Sequence, residues 1–343
     1  MIKTTKAAVL FNLNSKLKLI NIKLPKLLDD QVLVKILYTS ICRSQLMEIY
    51  SGRNNKKWLP HLMGHEGVGK IVDLGNKVNN FKIGDEVILT WISDNKIKRN
   101  TKLNYKNKII NAGNVTTFSQ YSIVSKYNIV KKPINLKNNL AHLLGCCFAT
   151  GPGMVFNETN PTKNSKILLI GLGGVGLGIL LALKEKKIKN VFLVEKDKKK
   201  IDIAKKLGFL NYTKGISKKD ELKITNFFEG KADICYESAG STKTIEFGIS
   251  MVKHQGHFHF ASHPESSKKI KIYPHEIISG KKISGSWGGG CKPKRDFTKF
   301  ANIIKKNAPI LKKIFYKKYK LKEINLAIKN FKNNKDFRPI IKM

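Results

Sequence analysis

Residues 166–178, KILLIGLGGVGLG, decide the fold of this chain. Ile167, Leu168, Leu169 and Ile170 form a short apolar run, the pattern of a strand buried on both faces of a parallel sheet. The run passes directly into Gly171, Gly173 and Gly176, spaced G-x-G-x-x-G, and then into a helical pattern that continues through Leu183. The first glycine allows a tight turn, the second lets the backbone approach a pyrophosphate, and the third lets helix and strand pack closely. The helix N-terminus turns its free N–H groups toward the phosphates. Alone, this spacing is a weak signal. Its context strengthens it: a strand before, a helix after, and a second strand over residues 190–194 that ends in Glu195. Glu195 lies about 20 residues beyond the glycines, where a carboxylate can hold the hydroxyls of a ribose.

Outward from this stretch the pattern stays regular. Short apolar strands at 167–170, 191–194, 232–236 and 256–261 alternate with helical stretches, which implies a parallel sheet with helices on both faces. The first 145 residues read as mostly β. Alternation and turn signals mark strands at 6–11, 31–38, 68–74, 86–89 and 117–124, a spacing that suits a small, partly closed barrel. After about residue 285 the character is mixed, with two Lys-rich helical stretches and a last segment at 337–341. The expected division is residues 1–147, an inserted nucleotide domain at 148–286, and a return at 287–343.

The chain has 343 residues, enough for a large core and about two domains. The uncharged run 167–183 falls short of the roughly 20 apolar residues that cross a bilayer. The N-terminus enters strand-like alternation without a signal-peptide apolar core, so a cytoplasmic location and no membrane partner are expected. A formal net charge of +41 raises the question of polyanion binding. The lysines are spread along the whole chain, and the dense patches at 196–200 and 312–320 read as solvated helix faces. Salt-sensitive, nonspecific attraction is therefore expected, and no specific nucleic acid. Five cysteines, an odd number without secretory context, argue against a disulfide framework.

Three places in the β-rich part could supply metal ligands: Cys42 in SICRS, His65 beside Glu66 in GHEGVG, and Cys146 in GCCFATG. Two thiolates and an imidazole suit zinc, and three protein ligands leave a fourth position for substrate. Buried cysteines and a hydrogen-bonded histidine would read the same way from the residues alone.

Taken in order, ICRS at 41–44, GHEGVG at 64–69, TFSQY at 117–121, GCCFATG at 145–151, GLGGVG at 171–176 and Arg338 resemble the zinc-dependent medium-chain alcohol dehydrogenases over nearly the whole chain. The resemblance implies an α/β fold: a Rossmann doubly wound parallel sheet plus a GroES-like β-barrel catalytic domain. It implies one catalytic zinc on Cys42, His65 and Cys146, with Glu66 near the metal and Cys147 only a neighbour. Ser44 would hydrogen-bond the substrate oxygen and start the proton relay. For the cofactor, NAD, it implies Arg43 and Arg338 on the pyrophosphate, with Gly171, Gly173, Gly174, Val175 and Gly176 forming the cradle. Glu195 and Lys200 would hold the adenosine ribose, Glu195 favouring NAD over NADP. Thr150 would pack beside the nicotinamide, and Trp91 would wall the substrate pocket. The implied partners are a small alcohol or aldehyde and further copies of the chain, as dimer or tetramer.

The departures carry equal information. Residues 91–113 contain no cysteine where the family's structural zinc lobe needs four, so no structural zinc and a rebuilt loop are expected. Met47 stands where some members have a relay histidine, and Gln45 stands where an acid is common. Lys292, Lys294 and Arg295 follow a glycine-rich segment and raise the idea of an anionic alcohol, although lysine is common throughout. Two rivals remain: a zinc-free quinone or enone reductase of the same superfamily, and a polyanion-binding protein on a dehydrogenase fold.

Overall fold

The computed structural model describes residues 2–53, 55–93 and 100–343. The chain divides into two compact units, Met1–Cys146 with Lys292–Met343, and Cys147–Cys291.

In the first unit the hub is the strand Gln31–Ser40, which pairs antiparallel with Glu66–Leu74, Tyr121–Ser125 and Ile340–Lys342. Val32, Val34 and Ile36 alternate onto one buried face with Ile71, Val87, Leu89 and Val124, as the two-residue period of a strand requires. With Glu86–Thr90, Ile129–Lys131 and Lys318–Lys320 these make a seven-stranded sheet. Its register sets Glu66 opposite Thr90, so the ends of neighbouring strands meet at one edge. Five further strands, Thr4–Leu10, Lys18–Lys23, Leu103–Tyr105, Lys108–Ala112 and His61–Leu62, close into a barrel in that order.

In the second unit six strands run parallel in the order Tyr212–Thr213, Val191–Val194, Ile167–Ile170, Ala232–Glu237, Val252–Phe260 and Lys282–Gly285. Ile167, Leu168, Leu169 and Ile170 are each at most 1% exposed, as a strand covered on both faces should be. The helices have clear starts. Gly173 caps Gly174–Glu185, and Asp197 caps Lys198–Lys206 through a bond from Lys199 N–H. Ser217 and Ser241 form capping boxes at the next two helices. None of the helices among the described residues is long and apolar enough to cross a membrane.

Several details correct the sequence reading. The β-rich part is a closed barrel plus a separate sheet, not one partly closed barrel, because residues 103–112 fold into a hairpin that supplies two of the barrel strands. Its turn, Lys106-Asn107, has positive φ at both positions, the geometry of a two-residue hairpin that usually selects glycine. The rest of the expected loop at 91–113 includes residues 94–99, which lie outside the described residues. The second unit runs past 286 to Cys291. Gly289 packs so closely on Gly153 that a Cβ on Gly153 would lie 2.2 Å from the Gly289 carbonyl oxygen. The patch 312–320 is not one helix face: the helix Ala308–Ile314 ends and Lys318–Lys320 is a strand. The fifth parallel strand begins at Val252, four residues before the position read from sequence, and passes Gln255 with φ 58°.

Candidate functional site

Three backbone features bring Cys42, His65 and Cys146 together in the first unit. Cys42 caps the N-terminus of the helix Arg43–Ile49, directly after the hub strand. His65 precedes the strand Glu66–Leu74 and follows Gly64 at φ +99°, where a Cβ would strike Thr117 and Phe118 within 2.7 Å. Cys146 ends the turn His142–Gly145, and Gly145 sits so close to Glu66 and Leu89 that a side chain would meet the Leu89 carbonyl at 2.5 Å. The ligand atoms of the three residues all lie within 4.8 Å of one another, and among the described residues no other group of three such side chains does so.

Electrostatics divide the two thiols. Cys42 is held well below the usual thiol range, first by a hydrogen bond from Cys146, then by the Arg338 charge and by His65. Cys146 is pushed well above it by the same hydrogen bond and by burial. Burial works to lower His65, but its interaction with the neighbouring Cys42 and the charge of Glu66 carry it upward. The donor set fits zinc: two sulfurs and a ring nitrogen converge, and His65 Nε2 is buried without a hydrogen-bond partner. Three protein donors of this kind leave a coordination position open to substrate.

Around this cluster, Ser44 Oγ is buried and unpartnered. Gln45 is 1% exposed; its Oε1 accepts from Cys42 N–H at 2.7 Å and its Nε2 lies 3.3 Å from His65 Nδ1. Trp91 N–H donates to the His65 carbonyl at 3.1 Å. Thr39 and Thr117 hydroxyls both donate to the Glu66 carbonyl, at 2.7 and 2.8 Å. Glu66 is fully buried, and burial raises its carboxyl against the pull of Arg338.

Arg338 is held within the protein. It is 5% exposed, with Nη2 at 2.5 Å from Glu66 Oε1 and Nε at 3.0 Å from Ser40 Oγ, while Ser40 itself donates to the same carboxylate oxygen. Its guanidinium grips a buried carboxylate. Arg43 is exposed and donates to Asn334 Oδ1 at 2.7 Å. Arg295 pairs in bidentate fashion with Asp296 at 2.6 and 2.8 Å. The sequence reading passed over Glu48, His61 and Arg53: Glu48, on the helix that Cys42 caps, meets Arg53 at 3.2 Å and His61 at 3.5 Å. Burial and the Arg53 charge lower His61 to about 4. No spacing signal marked these three, because His61 joins the pair from a separate strand.

In the second unit the glycines divide their roles. Gly171 has φ +89° with Ala239 packed against it, and a Cβ on Gly176 would lie 2.0 Å from the Gly171 carbonyl. Gly173, which caps the helix Gly174–Glu185, has open space at its Cβ position. Glu195 is 7% exposed; its carboxylate accepts from Leu172 N–H at 2.8 Å and Asp197 N–H at 3.0 Å, with Lys200 Nζ at 3.7 Å. The helix N-terminus, with no side-chain cap, and the open space at Gly173 fit a dinucleotide pyrophosphate. Thr150 is buried on the helix Cys147–Gly153, which packs on Gly174–Glu185 through Gly151.

Comparison with known proteins gives a consistent result. Residues 28–134 match the family model for the alcohol dehydrogenase GroES-like domain, and residues 174–306 match that for zinc-binding dehydrogenases. Alcohol dehydrogenase 6 of Peromyscus maniculatus is 27% identical, covering 98% of this chain and 97% of its own length. Alcohol dehydrogenase class-3 of Drosophila melanogaster is 26% identical, covering 99% and 97%. The crystal structure of benzyl alcohol dehydrogenase from Acinetobacter calcoaceticus superposes with a TM-score of 0.90 at 24% identity, over the full length of both chains.

Proposed function

Because this chain belongs to the zinc-type medium-chain alcohol dehydrogenase family, we propose that it transfers hydride between an alcohol and NAD, and in reverse from NADH to an aldehyde or ketone. The observation that carries this reading is the convergence of Cys42, His65 and Cys146 within 4.8 Å. These residues would hold a zinc ion, which when bound supplies Lewis acidity to a substrate oxygen.

The chain's own residues supply the rest. Ser44 Oγ, buried and unpartnered, accepts the proton of the substrate hydroxyl and passes it outward as its own hydroxyl proton. Met47 cannot continue that relay, so the next acceptor is water or a cofactor hydroxyl. Glu66, paired with Arg338, places fixed charge beside the ligand cluster. Trp91, tied by its backbone to His65, walls the alcohol's side of the pocket.

For the cofactor, Gly171, Gly173, Gly174, Val175 and Gly176 cradle the pyrophosphate on the helix N-terminus. Glu195 holds the adenosine ribose hydroxyls and repels a 2′-phosphate, favouring NAD over NADP, with Lys200 beside it. Thr150 packs next to the nicotinamide. The nicotinamide, when bound, accepts hydride, and the protein contributes its orientation.

The test is NADH formation from NAD with primary, secondary, polyol and phosphorylated alcohols, each with and without a zinc chelator. The proposal expects turnover on at least one class and its loss with the chelator. Turnover indifferent to the chelator would favour the zinc-free reductase instead, and no turnover on any class would overturn the proposed reaction.

A further inference from the structure

We infer that Gln45 weakens the grip of the Cys42–His65–Cys146 site on its metal, by holding His65 in the tautomer opposed to binding through Nε2. The inference rests on the reading of that cluster as a metal site. A primary amide offers an acceptor at one end and only donors at the other, whereas a carboxylate accepts at both. Here the two ends are both in use: Oε1 receives Cys42 N–H at 2.7 Å, and Nε2 faces His65 Nδ1 at 3.3 Å.

With the amide nitrogen facing it, Nδ1 must accept, so a neutral His65 ring carries its proton on Nε2. Nδ1 is occupied by Gln45, and Nε2 is the buried ring nitrogen without a partner, so Nε2 is the atom left for a metal. Coordination there requires the ring proton to move to Nδ1, where it meets the amide's own N–H groups. Turning the amide over does not help, because the NH₂ group then faces Cys42 N–H. In either orientation two donors share one acceptor, and one donor beside buried Gln45 goes unsatisfied, which is costly. Gln45 is 1% exposed, so no solvent relieves the conflict. A partner that accepts from the outer nitrogen of a ligating histidine fixes the ring and raises its basicity, and loss of such a partner typically weakens metal binding about 10–100-fold. This chain holds the opposite kind of partner, and its metal is correspondingly exchangeable.

Gln45→Glu tests the assignment, since it keeps length and shape and supplies an acceptor at both ends. Zinc affinity is measured by competition with a chromogenic chelator, on the full-length wild type and variant. The expected result is about 10–100-fold tighter binding in Gln45→Glu. Equal or weaker binding in a variant whose circular dichroism and melting match the wild type would overturn the inference. A second measurement needs no variant. Two-bond nitrogen–proton correlation spectra of the zinc-free wild type, recorded where the His65 ring is neutral, should show the proton on Nε2. A proton on Nδ1 would overturn the inference regardless of how the variant folds. If neither protein binds zinc, the metal reading fails by itself, and the tautomer still decides the role of Gln45.

Discussion

Arg338 lies against Glu66 with both side chains almost wholly out of water, and the pair shares Ser40 as a third member. Removing one partner of such a pair leaves a buried charge without compensation, typically about 3–5 kcal/mol. Arg338→Ala is therefore expected to lower unfolding free energy by about that amount in urea titration, and Glu66→Gln in the same background to recover part of it. A loss below about 1 kcal/mol, the worth of an exposed ion pair, would show that the pair is solvated. At the ligand cluster, His65→Ala or Cys146→Ala should abolish zinc retention on gel filtration and reduce turnover to background. Two of the candidate ligands, His65 and Cys146, stood out in the sequence because each directly follows a glycine. Gly64 and Gly145 both lie where a side chain would collide with backbone. The partners of those ligands were not legible. Ser40, Thr39 and Thr117 act through side-chain bonds between distant segments, and nothing in local spacing announces them.

The strand–turn–helix at 167–185 makes a sharper test of how an element carries function. Gly176 and Gly173 belong to one motif but meet different surroundings. A Cβ at Gly176 would lie 2.0 Å from the Gly171 carbonyl, whereas at Gly173 it would meet nothing within 4 Å. Gly176→Ala should therefore lower the melting temperature and perturb the unit as a whole. Gly173→Ala should leave melting unchanged but raise the NAD dissociation constant at least tenfold, by placing a methyl group where the backbone must approach a pyrophosphate. Equal effects of the two substitutions on both readouts would remove the separation of roles. This element was legible because continuous burial on both faces leaves an uninterrupted apolar run. The hairpin at 103–112 was not. Its turn uses Lys106 and Asn107 at positive φ, where asparagine is tolerated and lysine is uncommon. The split of 312–320 into helix and strand was hidden for a related reason: lysine favours helix over strand, and here the strand Lys318–Lys320 is set by pairing with Ile340–Lys342.

Over the whole molecule, buried histidines and surplus lysines govern the response to solution conditions. His142 is fully buried with neither ring nitrogen partnered, and burial lowers it to about 3. An unfolded histidine takes its proton near about 6.5, so between that pH and about 3 the unfolded chain binds a proton that the folded chain refuses. Stability from this group is whole above about 6.5 and falls with acid, by about 1.4 kcal/mol per pH unit. His61 acts with the same sign down to about 4. Buried Glu48 and Glu66, both raised, act with the opposite sign, since acid relieves their charge. His142→Leu isolates the first effect: the slope of unfolding free energy between pH 6 and pH 4 should fall by about 1.4 kcal/mol per unit relative to wild type. An unchanged slope would mean that His142 is already charged in the fold. The net charge of +41 should appear as retention on heparin that collapses steeply with salt.

The central claim is that a metal held by Cys42, His65 and Cys146 is required for hydride transfer between an alcohol and NAD. Its most direct test is reconstitution: protein stripped by a chelator and dialysed, then titrated with zinc while NADH formation is followed with a reactive alcohol. The account predicts no turnover in the stripped protein, and recovery that reaches its plateau near a single equivalent of zinc per chain. Full turnover in stripped protein, verified metal-free, would contradict it.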